Sequence, residues 1–151
     1  MFSKATEYAI RATIYIAQKS TKEKKIGLAE IAKAIDSPSS FTAKTLQLLT
    51  RENKIVRSSR GPNGGFYMTD AARKLPVRAV LEAIGEETII TKCILGLREC
   101  RENKPCPMHT HYKAIKIQMI RLFETTTIQN LVEEIGKGNL FINNTKTGTH
   151  K

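Results

Sequence analysis

A chain of 151 residues, 40% of them apolar, can bury one compact core, or a small domain with an appendage that leans on a partner. No apolar run is long enough to span a membrane. The N-terminal MFSKATEYAIRA also carries Lys4, Glu7 and Arg11 where a signal peptide needs apolar residues, which predicts a cytoplasmic protein with no membrane partner. The net charge of +11 is uneven, with 14 Lys+Arg against 6 Asp+Glu in residues 1–75 and 11 against 8 in the remainder. A basic excess of this kind suits a phosphate backbone, an anionic lipid surface or simple solubility, and charge alone does not choose between them.

Residues 4–18 place Ala5, Tyr8, Ala9, Ala12 and Ile16 at helical spacing behind Ser3 as N-cap. A polar, lysine-rich STKEKK loop leads to a second short helix with Leu28, Ile31, Ala32 and Ile35 on one face, stopped by Asp36, Ser37 and Pro38. Helical periodicity resumes through Phe41, Thr45, Leu46, Leu48 and Leu49, with Ser39 or Ser40 placed to cap it. Two short helices across a tight polar turn form a helix-turn-helix pattern. KIVRSS and GFYMT then read as two short strands joined by the turn-rich RGPNGG.

This order predicts a mainly α fold with a small β-wing: a winged helix-turn-helix domain over residues 1–84, its third helix entering the major groove of double-stranded DNA. Ser40, Thr42, Lys44 and Gln47 are expected on the polar face of that helix, where Gln47 can pair bidentately with adenine. Arg57 and Arg60 flank the hairpin and are expected at the DNA backbone or minor groove.

Residues 70–85 read as helical with a break before Pro76, and EETIIT as a short extended piece. Met108, Tyr112, Ile115, Met119 and Leu122 then recur at alternating steps of four and three, a seam for packing against another helix. A second strip holds Ile117, Ile120 and Phe123. One strip can cover the chain's own core and the other a second copy, so residues 108–135 are assigned to a dimerisation helix region and the protein to a homodimer. The polar stretch 136–151 is expected to be a flexible tail.

All three cysteines fall between residues 85 and 107: Cys93, then Cys100 after six residues and Cys106 after five, with His109 following after two. An odd number of thiols in a reducing compartment argues against a disulfide framework. Structural zinc sites favour close cysteine pairs, whereas spread thiolates on a glycine-containing loop suit an iron–sulfur cluster. Lys92, Arg98, Arg101 and Lys104 surround the thiols and are expected to favour thiolates.

SKATEYAIRA, the helix-turn-helix, RGPNGGF and the C-x6-C-x5-C-x2-H spacing together resemble the Rrf-type family of bacterial winged-helix transcriptional regulators, and in particular its IscR- and NsrR-like iron–sulfur members, over residues 1–135. The resemblance implies a homodimeric DNA-binding repressor controlled by a [2Fe-2S] or [4Fe-4S] cluster that senses redox, nitric oxide or iron–sulfur status. Cys93, Cys100 and Cys106 fall on the family's cysteine ligands, with one extra residue between the first two. His109 falls where some members use a histidine as fourth ligand, and Glu7 where others use a carboxylate from the second subunit.

Other readings of the same residues remain open. One is a cluster-free regulator of this fold controlled by thiol oxidation, zinc or a protein partner. Another is a winged-helix adaptor with a zinc-stabilised loop. An enzyme using one of the cysteines as nucleophile with His109 or His111 as base would need a pocket and an oxyanion site that the sequence does not indicate, so no enzyme and no small-molecule substrate are expected.

Overall fold

The computed structural model describes residues 2–98 and 101–136. Helix α1 (Lys4–Lys19) begins as its cap predicts: the Thr6 backbone N–H donates to Ser3 Oγ at 3.1 Å. Ala9, Ala12, Ile16 and Ala17 turn inward and form the spine of the main core. Helix α2 (Leu28–Ala34) adds Ile31 and Ala32, and α3 (Ser39–Leu49) adds Leu46 and Leu49.

The turn between α2 and α3 is set by backbone bonding. Asp36 takes a left-handed φ of 53°, the Ser37 N–H donates to Ala32 O at 3.0 Å and the Asp36 N–H donates to Lys33 O at 3.3 Å. This is a Schellman closure with aspartate in the place usual for glycine. Pro38, rather than Ser39 or Ser40, is the N-cap of α3, and no side chain caps the helix. Arg11 strengthens the end of α2 by donating from Nη1 to Ile35 O while its guanidinium lies over the Tyr8 ring.

Strands β1 (Arg57–Ser59) and β2 (Gly65–Tyr67) pair antiparallel with Ser58 opposite Phe66. Ile26 joins β2 as a third rung, exchanging both backbone bonds with Phe66. Glycine is required here: a Cβ on Gly65, whose φ is 146°, would meet Ile26 O at 2.8 Å, and one on Gly64 would meet Ser59 O at 2.4 Å. The wing is thereby tied to the body just ahead of α2.

The 70–85 region is two short helices, α4 (Asp70–Arg73) and α5 (Arg78–Ala83), separated at Pro76 as expected. Residues Glu87–Ile90 form a 3-10 turn, not the extended piece expected of EETIIT, because Ile90 is buried beside Leu81 and Phe123. The C-terminal region also differs from expectation. It is two helices, α6 (His109–Thr125) and α7 (Ile128–Gly136), and α7 packs back against α1 and α4. The chain reverses at Thr126, whose carbonyl accepts from the Val77 N–H, while the Ile128 N–H donates to Leu75 O. Ile128 thus belongs to the main core, with Val132 packed against it. A second small core of Val77, Leu81, Ile90 and Phe123, with Phe2 stacked 5.7 Å from the Phe123 ring, roots α6 in the body.

Candidate DNA interface and thiol pair

An open cleft of 620 Å³ lies between α3 and the wing, bordered by Ser40, Lys44, Gln47, Ser58, Ser59 and Arg60 among others. Lys44 and Arg60 give it positive charge, while Gln47 and the serines supply donors and acceptors. Of the residues expected to meet DNA, Ser40, Lys44, Gln47 and Arg60 are exposed and brought together here. Arg57 is exposed at the start of β1 but does not border the cleft.

Thr42 is a correction. It is fully buried, and its hydroxyl donates to Pro38 O at 2.9 Å and bonds Ser37 Oγ at 3.0 Å, so it tightens the helix-turn-helix corner and does not face outward. Residue type alone suggests an outward threonine, but these hydroxyl bonds turn it inward. Conversely, Ser58 and Ser59 escaped notice, although their place in a three-residue strand opposite Phe66 and Gly65 puts them beside α3.

The frame behind the cleft is held by two residues with no motif to announce them. Arg73 donates from Nε to Ala17 O and from Nη2 to Ser20 O at the end of α1, and from Nη1 to Met68 O just after β2. Glu86 accepts from the Ser3 and Thr6 hydroxyls, each at 2.6 Å, and so ties the approach to the cysteine loop to the start of α1. Those two hydroxyls, Ser3 first, and the charge of Lys92 hold the Glu86 carboxyl below its ordinary range against the opposing effect of burial.

The second site lies at the root of α6. Cys93, 4% exposed, follows the 3-10 turn, and half-buried Cys106 precedes α6. Their sulfurs are 3.7 Å apart. The backbone N–H of Leu95 foremost, then the Cys106 thiol, the backbone of Leu97 and the charge of Lys116, outweigh burial and hold the Cys93 thiol below its usual value. The cation that acts on Cys93 is Lys116 on α6, which also donates to Thr91 O and was not among the cations expected from sequence. Cys100 lies outside the described residues, as does the tail beyond residue 136.

His109 opens α6, its backbone N–H donating to Cys106 O at 3.0 Å. Glu7 sits in the first turn of α1, paired with Lys4 at 3.1 Å. Among the described residues no three His, Cys, Asp or Glu side chains gather as a metal group.

The expected dimer seam divides. Met108, Ile115 and Leu122 are exposed at 41%, 56% and 58%, Tyr112 is half-buried, and Met119 packs into the chain's own second core. Ile117, expected on the inner strip, is exposed, while Ile120 and Phe123 hold α6 to the body. No helix among the described residues is long and apolar enough to cross a membrane.

A helix-turn-helix with a wing and a basic cleft between them defines a winged-helix transcriptional regulator. The Rrf2 family, described as an iron-dependent transcriptional regulator, matches residues 2–134, and this chain belongs to that family. It is 30% identical over 134 residues to a putative HTH-type transcriptional regulator of Aquifex aeolicus, covering 87% of this chain and 91% of the relative. It is likewise 30% identical over 125 residues to the transcriptional regulator IscR of Erwinia tasmaniensis, covering 83% and 74%. Among solved structures, CymR, the global cysteine regulator of B. subtilis, superposes with a TM-score of 0.72 at 18% identity, over 89% of this chain and 97% of that one. T. potens IscR does so with 0.69 at 16% identity, over 93% and 91%. These relatives are named transcriptional regulators and not enzymes.

Proposed function

We propose that this regulator is a homodimeric repressor whose hold on DNA is set by an iron–sulfur cluster carried on the loop from Cys93 to Cys106. The observation that carries the reading is the thiol pair, 3.7 Å apart at the root of α6. Two sulfurs this close could both be drawn onto one metal centre once deprotonated. The chemistry of the donor set fits, and IscR of Erwinia tasmaniensis is similar over 83% of this chain. Cys93, Cys100 and Cys106 would supply three thiolates. His109, on the first turn of α6, or Glu7 of the second subunit would supply the fourth ligand. When bound, the cluster supplies redox chemistry and a weakly held ligand position open to nitric oxide or oxygen.

What the chain itself does follows from the two ends of the loop. Cys93 closes the segment packed on Leu81 and Phe123, and Cys106 opens α6. Drawing the loop tight therefore fixes the root of α6 against the winged body. The exposed Met108, the N-cap of α6, and Ile115 and Leu122 on that helix meet a second copy, so the setting of α6 determines the separation of the two α3 helices and their fit to successive major grooves. In the cleft, Gln47 and Ser40 read base edges while Lys44, Arg57 and Arg60 engage the backbone or a narrow minor groove.

The test is the visible spectrum, with iron and acid-labile sulfide, of protein purified without oxygen, together with operator binding before and after cluster removal. A coloured protein with matching iron and sulfide, bleached in either His109→Ala or Glu7→Ala, supports the reading and names the fourth ligand. An iron-free protein after reconstitution, with unchanged DNA binding, overturns it.

A further inference from the structure

The two thiols that face each other at the root of α6 differ sharply in access. Cys93 is 4% exposed, whereas Cys106 is only half-buried. They are separated by thirteen positions in the chain and 3.7 Å between sulfurs, with Gly96 at a φ of 70° giving the intervening loop its turn. Closing that gap to the roughly 2.05 Å of a disulfide needs a combined movement of about 1.7 Å, within reach of side-chain rotation on a loop. One accessible sulfur beside one sheltered sulfur is the arrangement of an attacking thiol with a resolving thiol behind it.

We propose that, in the cluster-free protein, Cys93 and Cys106 form a reversible disulfide that excludes the cluster and latches α6 to the winged body. The inference shares its loop with the cluster reading and extends it to the state in which no cluster is held.

A hydroperoxide is the oxidant class that fits the half-buried Cys106. The Cys106 thiolate attacks one peroxide oxygen, the O–O bond breaks, and Cys106 becomes a sulfenic acid while hydroxide or an alcohol leaves. Cys93, too sheltered for direct oxidation, then attacks the Cys106 sulfur. The S–O bond breaks, the S–S bond forms, and the oxygen departs as water with the thiol proton. In sum two thiols are oxidised by two electrons and one peroxide is reduced to two molecules of water, or to water and an alcohol. A small dithiol reductant reverses it. The sheltered partner also protects Cys106 from sulfinic acid by resolving it first. Both thiolates are then spent, so iron cannot be loaded until the bond is reduced.

The experiment uses the full chain, stripped of iron and reduced, exposed without metal to one equivalent of hydrogen peroxide. The expected product has lost two hydrogens in intact mass, and non-reducing peptide mapping joins the segments holding Cys93 and Cys106. Cys100→Ser keeps the bond. In the Cys100→Ser background, Cys93→Ser stops at the Cys106 sulfenic acid, captured by dimedone, and a second equivalent carries it to the sulfinic acid, while Cys106→Ser reacts more slowly by about tenfold or more because the sheltered thiol is left alone. Oxidised protein takes up at least about tenfold less iron and sulfide than reduced protein, and dithiothreitol restores the uptake.

An unchanged mass, a bond to Cys100 in place of Cys93, or sulfinic acid in the wild type overturns the latch. The two readings separate cleanly. Protein that loads a cluster but forms no Cys93–Cys106 bond sinks only the latch, and protein that forms the bond but never loads iron sinks only the cluster.

Discussion

The winged body and the α6 root are built on opposite principles. In the body, α1, α2, α3 and α7 enclose Ile16, Ile31, Leu46, Leu49 and Ile128 with almost no exposure, and both ends of α1 are bound by side chains, Glu86 at the start and Arg73 at the finish. From Cys93 to Leu122 the reverse holds. Among the described residues, seven of the eight large apolar side chains left exposed lie in this stretch, Phe41 being the eighth. Only one residue of α6, Phe123, is buried. The body completes itself from its own chain, whereas the α6 root leaves Ile115 and Leu122 uncovered, which in the proposed function a second copy would cover. On the proposed function, fit to DNA falls to the closed body and control to the uncovered α6 root.

That contrast is broken most directly on α6. Replacing Ile115 and Leu122 together by aspartate should cost the dimer about 4 kcal/mol or more, giving a monomer by analytical ultracentrifugation, while the melting of the winged body persists. A double variant that unfolds the body would show that α6 is part of the same cooperative unit.

Core truncation in the body should behave in the other way. Leu46→Ala, at a site with no room to collapse, should lower unfolding free energy by about 3 kcal/mol in urea titrations, with little change in the reactivity of the Cys93–Cys106 pair.

Within the cleft, Gln47→Ala should reduce operator affinity by about 2 kcal/mol and relax base preference at one position, whereas Lys44→Ala should weaken all sequences alike and lower the salt slope by about one. Thr42→Ala sharpens the distinction: its hydroxyl serves the α2–α3 corner, so stability should fall by about 1 kcal/mol with base preference unchanged in competition assays.

The smallest effect is at the seam between the two regions. Glu86 has a folded-state pKa depressed below its ordinary 4.5 by the Ser3 and Thr6 hydroxyls, so its contribution is present above about that pH and lost as pH falls through the lower folded value. Glu86→Gln should cost about 1 kcal/mol at pH 7, and the gap in melting temperature from wild type should close in acid. A gap that is independent of pH would show that the carboxylate charge is not what holds α1.

Legibility varied with the range of the interactions. Helix α1, its Ser3 cap, the helix-turn-helix order and the glycine-rich wing all rest on contacts a few residues apart, and all were readable. The cleft residues Ser40, Lys44, Gln47 and Arg60 followed from the exposed face of α3 and the wing. Thr42 did not, because a β-branched residue one turn from a helix start can equally donate to the carbonyl four residues back. The division of the C-terminal region into α6 and α7 was also hidden: apolar period alone continues through Thr126, while the reversal depends on bonds from Val77 and Ile128 across the fold.

The sequence by itself determined the order of elements, the basic front half and the company of three cysteines with a histidine, since each depends only on residue type and local spacing. Tertiary structure decided which thiols meet, which cation faces Cys93 and which strip of α6 stays bare. Those outcomes depend on where Phe123, Phe2 and Ile90 pack to root α6 beside the 3-10 turn, a burial preference between segments far apart in the chain that no local pattern encodes.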